Sequence, residues 1–357
     1  MKKIIISLFF AVCMSLSLFS QGRGNINIPD LQGFVTLKCD FHIHSVFSDG
    51  TVWPTVRIDE AFREGLDAIS ITDHIEYRPY IKEGSHNSAY EIAKPSANNR
   101  GVILIHGSEI TRAMPPGHHN VIFITDADKF DTPNWIDALH AAKAQNAFFF
   151  WNHPCWEAQQ PDTVVWFEEH TMMLQQGFMH GIEVVNGRQY CPEAHKWALE
   201  KNLTIIGTSD VHAPMRNFAR GEHRSMTLVF ARSRTAEAIH EALKERRTAI
   251  YFNDQIIGDQ KYLKELFEKA IDVNVEKSGN TAQITIKNNS ELSFLLKKYE
   301  NSPPGLLVDS QDLKIEPQGT HTVTVRLQNN NTGGNIEFIV ENFIVEPGKG
   351  MKYTFAM

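Results

Sequence analysis

The chain has 357 residues, of which 42% are hydrophobic and 22% are charged, and its formal net charge is −7. This composition is that of an ordinary soluble globular protein, and the length predicts one large unit together with a smaller one. The negative charge argues against binding to nucleic acid or to an anionic membrane through bulk electrostatics.

The first twenty residues predict a secretory signal peptide. A lysine pair precedes an apolar stretch from Ile4 to Val12, and a small residue, Ser20, closes the segment. The segment is too short for a confident transmembrane span. Lipoprotein processing at Cys13 is disfavoured because the residue before it is bulky, so we expect simple export to the periplasm or the medium.

Three cysteines follow this segment, namely Cys39, Cys155 and Cys191. An odd and sparse set gives no disulfide framework. We therefore expect small buried apolar residues, and we expect imidazoles and carboxylates rather than thiolates to bind any metal.

Strand-like and helix-like runs alternate from about residue 36 to residue 252. Apolar runs predict strands at 34–39, 66–71, 102–105, 121–124, 147–151, 182–185, 203–207 and 226–230. Apolar spacing and terminal Pro or Gly residues predict helices at 54–64, from 132 onward, at 192–201 and at 235–246. The alternation predicts a parallel α/β sheet that is closed or nearly closed, with loops 77–99 and 156–171 as pocket walls.

The pattern changes after about residue 270. Period-two alternation at 281–286, 321–327 and 335–340, with Asn, Gly and Pro turns between, predicts a small antiparallel sandwich after an amphipathic helix at 262–270. We therefore expect a signal peptide at 1–20, a lead-in at 21–35, a barrel at 36–257, and a linker helix with a β-rich domain at 258–357.

Residues of the kinds that bind metals stand next to most of the predicted barrel strands. The carboxyl ends of barrel strands meet on one face, so ligands far apart in sequence can share one pocket. Asp73 is interpreted as a partner of His74 or as a cap. The candidate ligands are His42, His44, Asp49, His74, Glu109, one of His118 and His119, His153, Asp210 and His212.

Taken singly, each candidate has an ordinary explanation. A His-x-His pair can be hydrogen-bonded at the surface, and Asp49 can be a turn residue. However, His42 and His44 alternate on a strand and point the same way, as do Asp210 and His212. The ordinary explanations would all have to apply at successive strand ends, so we favour a cluster of divalent ions.

The motifs that carry these residues resemble those of a known family. In chain order they are Asp40-Phe41-His42-Ile43-His44-Ser45, Phe47-Ser48-Asp49-Gly50, Ile71-Thr72-Asp73-His74, Gly107-Ser108-Glu109, Asn152-His153-Pro154 and Ser209-Asp210-Val211-His212. Order and spacing resemble the polymerase-and-histidinol-phosphatase (PHP) superfamily over roughly residues 36–250. The resemblance implies an α/β fold with a distorted (β/α)7 TIM-like barrel, here followed by a small all-β sandwich-like domain. It also implies two or three divalent ions (zinc, manganese or iron) and the hydrolysis of phosphoesters.

The same resemblance implies how the ligands are shared. One ion would take His42, His44, Glu109 and Asp210. A second would take Glu109, His118 and His153, and a third would take Asp49, His74 and His212. His118 is preferred to His119 on this ground alone.

We therefore expect a secreted metal-dependent phosphoesterase that prefers phosphodiesters to phosphomonoesters. A metal-bridged hydroxide would attack phosphorus, and the substrate would be a small phosphoester. Arg112 and Arg224 are candidates to hold the phosphate, although ordinary surface arginines explain them equally well. Glu183 and Asn186 could support the ligands.

Two other classes of function stay open. A metal amidohydrolase cleaving an acyl C–N or C–O bond is disfavoured because no obvious Lys stands at a strand end. A non-catalytic metal-binding interaction protein is disfavoured because structural sites are usually closed four-ligand sites. We expect neither nucleic-acid binding nor stable membrane insertion.

Overall fold

The computed structural model describes residues 22–80, 82, 84–215, 222–299, 306–308, 312–327 and 334–356. The signal peptide predicted at 1–20 lies outside these residues. Within the described ranges, none of the helices combines the length and apolar character needed to cross a bilayer.

The N-terminal part is a TIM-like barrel of short buried strands surrounded by helices. Its strands are β1 (Val35–Asp40), β2 (Ala68–Ile71), β3 (Ile103–Ile110), β4 (His119–Ile122), β5 (Phe148–Trp151), β6 (Gly181–Asn186), β7 (Gln189–Tyr190), β8 (Thr204–Thr208), β9 (Met226–Ala231), β10 (Thr248–Phe252) and β11 (Gln255–Gly258). Its helices are α1 (Pro54–Arg63), α2 (Ser88–Arg100), α3 (Trp135–Ala144), α4 (Glu168–Gln175), α5 (Pro192–Lys201) and α6 (Ala236–Lys244), with a 3₁₀ helix at Ala127–Phe130.

The sheet is mixed, which corrects the prediction of a parallel sheet. The order is β11-β10-β9-β1-β2-β3-β4-β5-β6, with β8 beside β6. The β1–β2, β2–β3, β5–β6 and β6–β8 pairs are parallel, whereas β4 is antiparallel to both neighbours and β9 is antiparallel to β1. The loop between β3 and β4 is too short for the crossover that a parallel strand needs, so β4 must reverse direction.

Threonine hydroxyls join the barrel where the backbone ladder stops. The amide of Gly207 on β8 donates to Thr227 Oγ1 on β9 at 3.0 Å, and the same hydroxyl donates to the Gly207 carbonyl at 2.8 Å. Thr248 on β10 donates to the Ile205 carbonyl at 3.0 Å. A Cβ at Gly207 would overlap Ile250, so only glycine allows this close approach.

The C-terminal part is a two-sheet β-sandwich that follows helix α7 (Gln260–Ala270). Its strands are β12 (Ile271–Ser278), β13 (Thr281–Asn288), β14 (Phe294–Lys298), β15 (Leu306–Val308), β16 (Asp312–Ile315), β17 (Thr320–Leu327), β18 (Asn335–Glu346) and β19 (Lys349–Ala356). One sheet has the order β12-β13-β17-β15, and the other contains β16-β14-β18 with β19 beside β18. The predicted fold class, a TIM-like barrel followed by an all-β domain, is therefore confirmed.

The two parts share one sheet, which the sequence did not indicate. Barrel strand β11 pairs in parallel with β18, with Ile256 opposite Phe343 and Ile257 opposite Ile344. Phe343 is fully buried, and its ring lies 5.5 Å from that of Phe294. The small domain is thus fixed to the barrel by backbone pairing and a common apolar core.

Two helices lie where loops were expected. Helix α2 begins within the loop predicted at 77–99 and ends one residue beyond it, and α4 begins within the loop predicted at 156–171. The buried residues of α2 are Ala89, Ala93 and Ala97, a narrow stripe of small side chains, and Pro95 lies inside the helix. Both features conceal a helix from apolar periodicity.

The expectation of no disulfide is wrong. Cys155, in the loop after β5, is bonded to Cys191, which precedes α5. Cys39 is free and buried, as expected. The bonded cysteines are 36 positions apart in the sequence, so only the fold brings them together.

We expect the shared sheet to make the whole protein unfold as one unit. Replacing Phe343 with Ala should lower the free energy of unfolding by about 3–5 kcal/mol because it leaves a cavity in the common core. Differential scanning calorimetry should show one transition that moves to a lower temperature. The control is Leu295→Ala, on a side chain that is 37% exposed, which should change stability little. Two separate transitions in the wild-type protein would contradict this prediction.

Candidate metal centre

All nine candidate side chains lie at one end of the barrel. Because β4 runs antiparallel, its first residues face the end where the parallel strands finish, which explains why His118 precedes a strand. Ligand atoms of the nine residues form overlapping groups in which each atom lies within 4.8 Å of the others. The residues are His42 and His44 after β1, Asp49 in the next turn, His74 after β2, Glu109 near the end of β3, His118 before β4, His153 after β5, and Asp210 and His212 after β8.

The most buried group, which we call site A, contains His42, His44, Glu109 and Asp210. The two imidazole Nε2 atoms are 3.0 Å apart, and each lies 3.3 Å from Glu109 Oε2 and 3.1 Å from Asp210 Oδ1. Ligand atoms about 2.0 Å from a tetrahedral ion are about 3.3 Å from one another. The spacing of the imidazole pair from each carboxylate therefore fits a compact divalent ion.

Glu109 connects site A to a second group, site B, which adds His118 and His153. While Oε2 of Glu109 faces site A, Oε1 lies 2.9 Å from His118 Nδ1 and 3.8 Å from His153 Nε2. Glu109 Oε1 and Asp210 Oδ1 are buried, and no described group donates a well-oriented hydrogen bond to either. Buried carboxylate oxygens without donors are the arrangement that bound cations satisfy.

A third group, site C, is more open to solvent. Asp49 Oδ1 lies 3.2 Å from His212 Nε2, and Asp49 Oδ2 lies 3.4 Å from His74 Nε2. His44 also belongs to this group, with Nδ1 3.5 Å from Asp49 Oδ1. The side chains of Asp49 and His212 are 42% and 38% exposed, respectively.

Neighbouring groups orient the imidazoles. His42 Nδ1 lies 2.8 Å from Glu183 Oε1, and His212 Nδ1 donates to the Asp210 carbonyl at 2.9 Å. With Nδ1 carrying the proton, Nε2 of each ring keeps its lone pair for a metal. Glu183 Oε2 also accepts from the His153 amide at 2.6 Å, and Asn186 donates to both Glu183 and Asp210.

Electrostatics favour positive charge at this end of the barrel. Burial lowers the pKa of His44, but Asp210 and Glu109 outweigh burial and raise it to about 9. Burial opposes ionisation of Glu109 as well, yet His74 and His42 hold the pKa of its carboxyl well below the usual range. Divalent ions would compete with protons for the same nitrogens.

Two of the candidates have unusual backbone conformations. His153 and Asp210 have φ angles of +32° and +50°. The left-handed region is disfavoured for residues with a Cβ, and such strain is typically stored at functional sites. Both turns aim a side chain into the cluster immediately after a strand.

Other predicted residues lie elsewhere. His119 points away from the cluster, and its ring lies 5.0 Å from that of Phe149, so the structure favours His118. Asp73 accepts hydrogen bonds from the amide and hydroxyl of Ser45 and from the hydroxyl of Ser48. It therefore caps this turn and has no described hydrogen bond to His74.

The expectation that two arginines hold the substrate phosphate is not supported. The Arg224 side chain is only 2% exposed and pairs with Asp40 at 2.9 Å and with Glu64 at 2.7 Å. Arg112 pairs with Glu76 at 3.0 Å and donates to a backbone carbonyl at 2.8 Å. Each guanidinium is therefore already paired with a carboxylate, as the buried charge of Arg224 requires.

Sequence reasoning missed two residues of the site. Trp156 is 43% exposed and packs edge-on against two candidate ligands, with ring centroids 5.0 Å from His153 and 5.6 Å from His118. Arg57 is buried behind the segments that carry His44 and His212. Neither residue stands in a motif, and only their spatial neighbours reveal them.

Comparison with known proteins agrees with this geometry. The family profile described as PHP domain matches residues 40–302, and a profile described as Ig-like domain matches residues 269–356. Among curated proteins, none matches this chain.

Solved structures include a strong match. A two-domain protein from Bacteroides vulgatus, containing a predicted PHP-like metal-dependent phosphoesterase, is 48% identical with a TM-score of 0.91, covering 94% of this chain and 99% of that chain. A proposed metal-dependent phosphoesterase from Bifidobacterium adolescentis is 18% identical, with a TM-score of 0.42 over 57% of this chain and 95% of that chain. An amidohydrolase from Chromobacterium violaceum with bound sulfate is 18% identical, with a TM-score of 0.37 over 49% of this chain and 88% of that chain. The last two similarities are too weak to carry an argument.

Because Glu109 lies between sites A and B, we expect the binding of two ions to depend on it. Glu109→Ala should lower the affinity for two ions by at least about tenfold each, because it removes a ligand from sites A and B together. His118→Ala should lower the affinity for one ion, and the matched control His119→Gln should leave the affinity for every ion unchanged. The measurement is the number of ions per chain after chelation, refilling and dialysis. An equal loss in the His118 and His119 variants would refute the assignment.

Proposed function

The chain belongs to the PHP domain family, and we propose that it is a metal-dependent phosphoesterase that cleaves phosphodiesters outside the cytoplasm. One observation carries the proposal. The two oxygens of the buried Glu109 face different groups of ligand atoms, as expected of a carboxylate shared by two ions. Paired ions suit the in-line displacement of a phosphoester.

The ions would be held by the residues of sites A, B and C. Divalent ions in such positions act as Lewis acids toward phosphoryl oxygens and make water nucleophilic near neutral pH. The task of the protein is to fix the ligands and to position the ester. Glu183 and Asn186 serve the first task by hydrogen-bonding ligand-bearing groups at sites A and B.

The charge around the cluster supports a diester over a monoester. A phosphomonoester carries nearly two negative charges at neutral pH, whereas a diester carries one. Arg112 and Arg224 are already paired with carboxylates. Compensation of the substrate charge would then rest on the ions, which favours the less charged ester.

Trp156 supports a substrate with a bulky, uncharged substituent. Its indole is partly exposed beside site B, and the Cys155–Cys191 disulfide holds the adjacent backbone. An aromatic face next to the reacting centre offers a contact for a planar or apolar ester group. The second group of a diester provides such a substituent, and a monoester does not.

Export is supported by two observations of different kinds. The first twenty residues have the sequence pattern of a secretory signal peptide. The disulfide between Cys155 and Cys191 is of a kind that persists in oxidising compartments and is rare in the cytosol.

The proposed activity predicts an order among three substrates. Metal-refilled protein should hydrolyse bis(p-nitrophenyl) phosphate faster than p-nitrophenyl phosphate and should leave p-nitrophenyl acetate nearly untouched. Chelation should abolish the activity, and added divalent ions should restore it. Release of p-nitrophenol measures all three rates. Hydrolysis of the acetate alone would instead favour an acyl-bond hydrolase.

If Trp156 contacts the ester group that stays on phosphorus, its contribution to kcat/KM should depend on the size of that group. Trp156→Ala should reduce kcat/KM for bis(p-nitrophenyl) phosphate about three- to tenfold, in line with the value of an aromatic contact. It should affect methyl p-nitrophenyl phosphate much less, because the leaving group is the same and the second group is small. Leu199→Ala, on an exposed side chain of α5, is the control. Equal losses on both diesters would show that Trp156 only shields His118 and His153.

A further inference from the structure

Arg57 is a buried arginine whose guanidinium donates to four backbone carbonyls and one carboxylate. It lies on α1, and its side chain is completely shielded from solvent. A buried charge is costly unless each donor has an acceptor. Its Nε donates to the His44 carbonyl at 2.9 Å, Nη1 donates to Ala213 at 2.9 Å, and Nη2 donates to Val211 at 3.1 Å and His212 at 2.8 Å.

These carbonyls belong to two segments that carry candidate ligands. One segment ends with His44 after β1, and the other is 211–213 after β8. The segments also contact each other, because the His44 amide donates to the Val211 carbonyl at 3.1 Å and the Thr51 amide donates to the His212 carbonyl at 2.9 Å. A single planar side chain therefore spans the junction from the α1 side.

Glu60 extends this arrangement by one further contact. Its Oε2 accepts from Arg57 Nη1 at 2.8 Å, and its Oε1 accepts from the Met215 amide at 2.9 Å. The pair is buried and separated by three residues on α1. Together the two side chains hold the backbone from His212 to Met215 against the helix.

Site C has more need of this support than site A does. At site A, His42 is oriented by Glu183, and Asp210 receives a hydrogen bond from Asn186. At site C, His212 and Asp49 lie on exposed loops. The carbonyls of the His212 segment accept from Arg57 and from Thr51.

We propose that Arg57, with Glu60, is the positioning residue of site C and decides whether an ion is held by Asp49, His74 and His212. The inference rests on the proposed metal centre. A guanidinium is required because its rigid fork reaches carbonyls of both segments at once. A lysine ammonium has the same charge but only one donor atom, so it cannot span them.

The test is Arg57→Lys in the full-length protein, with bound ions as the main readout. After equilibrium dialysis against Mn²⁺, and separately against Zn²⁺, elemental analysis should find one ion fewer per chain than in wild type. The affinity of the missing ion should fall at least about tenfold, and the other ions should keep their affinities. Circular dichroism and thermal melting establish that the variant is folded.

Arg247→Lys is the matched control. Arg247 is also a buried arginine that donates to a backbone carbonyl, that of Phe230, and pairs with Glu241. It lies near the end of β9 that pairs with the first residues of β1, at the opposite end of the barrel from the cluster. This variant should lose stability and keep the full number of ions.

The ion counts distinguish a positioning role at site C from a purely structural role. A folded Arg57→Lys protein with the wild-type number of ions would overturn the proposal, as would an equal loss of affinity for all ions. Should that variant fail to fold, Glu60→Gln is the deciding variant, because it retains Arg57 and should lower the affinity for the site C ion alone. Wild-type protein that binds no ions would instead reject the metal centre itself.

Discussion

The structure depends on one constraint, the burial of carboxylates and imidazoles where the barrel strands end. Glu109 is fully buried among histidines, and its oxygens are divided between two groups of ligand atoms. Ionised groups leave water only when opposite charge or hydrogen bonds replace it. The pKa of His44 is raised and that of Glu109 is lowered, and both shifts show that positive charge is stabilised in the cluster. Divalent ions would supply more positive charge there than protons do.

Irregular parts of the barrel, as well as its regular strands, position the buried carboxylates and imidazoles. The reversed strand β4 delivers His118 from its first end, and left-handed turns at His153 and Asp210 place these side chains directly after parallel strands. A purely parallel barrel with relaxed turns would direct them differently. Backbone strain at such points is sustained because the surrounding strands are short, buried and firmly paired.

The sequence predicts what is local and periodic. The spacing of His42 and His44 on a strand, and the apolar runs before His74, His153 and Asp210, were enough to indicate a barrel with a metal cluster. Contacts made only by the fold could not be predicted, including the Cys155–Cys191 disulfide and the pairing of β11 with β18. The sequence made Arg224 a candidate for binding the substrate phosphate and gave no signal at Arg57, and only packing shows that both are buried and fully paired.

The three groups of ligands form a gradient of exposure, and this gradient suggests a division of labour. The imidazoles of site A are inaccessible to solvent, whereas Asp49 and His212 at site C are more than one-third exposed. An ion held at site A would exchange slowly in a low dielectric, which would strengthen its attraction for a phosphoryl oxygen. An ion held at site C would depend on the groups that fix the backbone of the exposed loops. The ligands therefore become more exposed toward solvent, and the Arg57 contacts fix the backbone of the His212 segment on the exposed side.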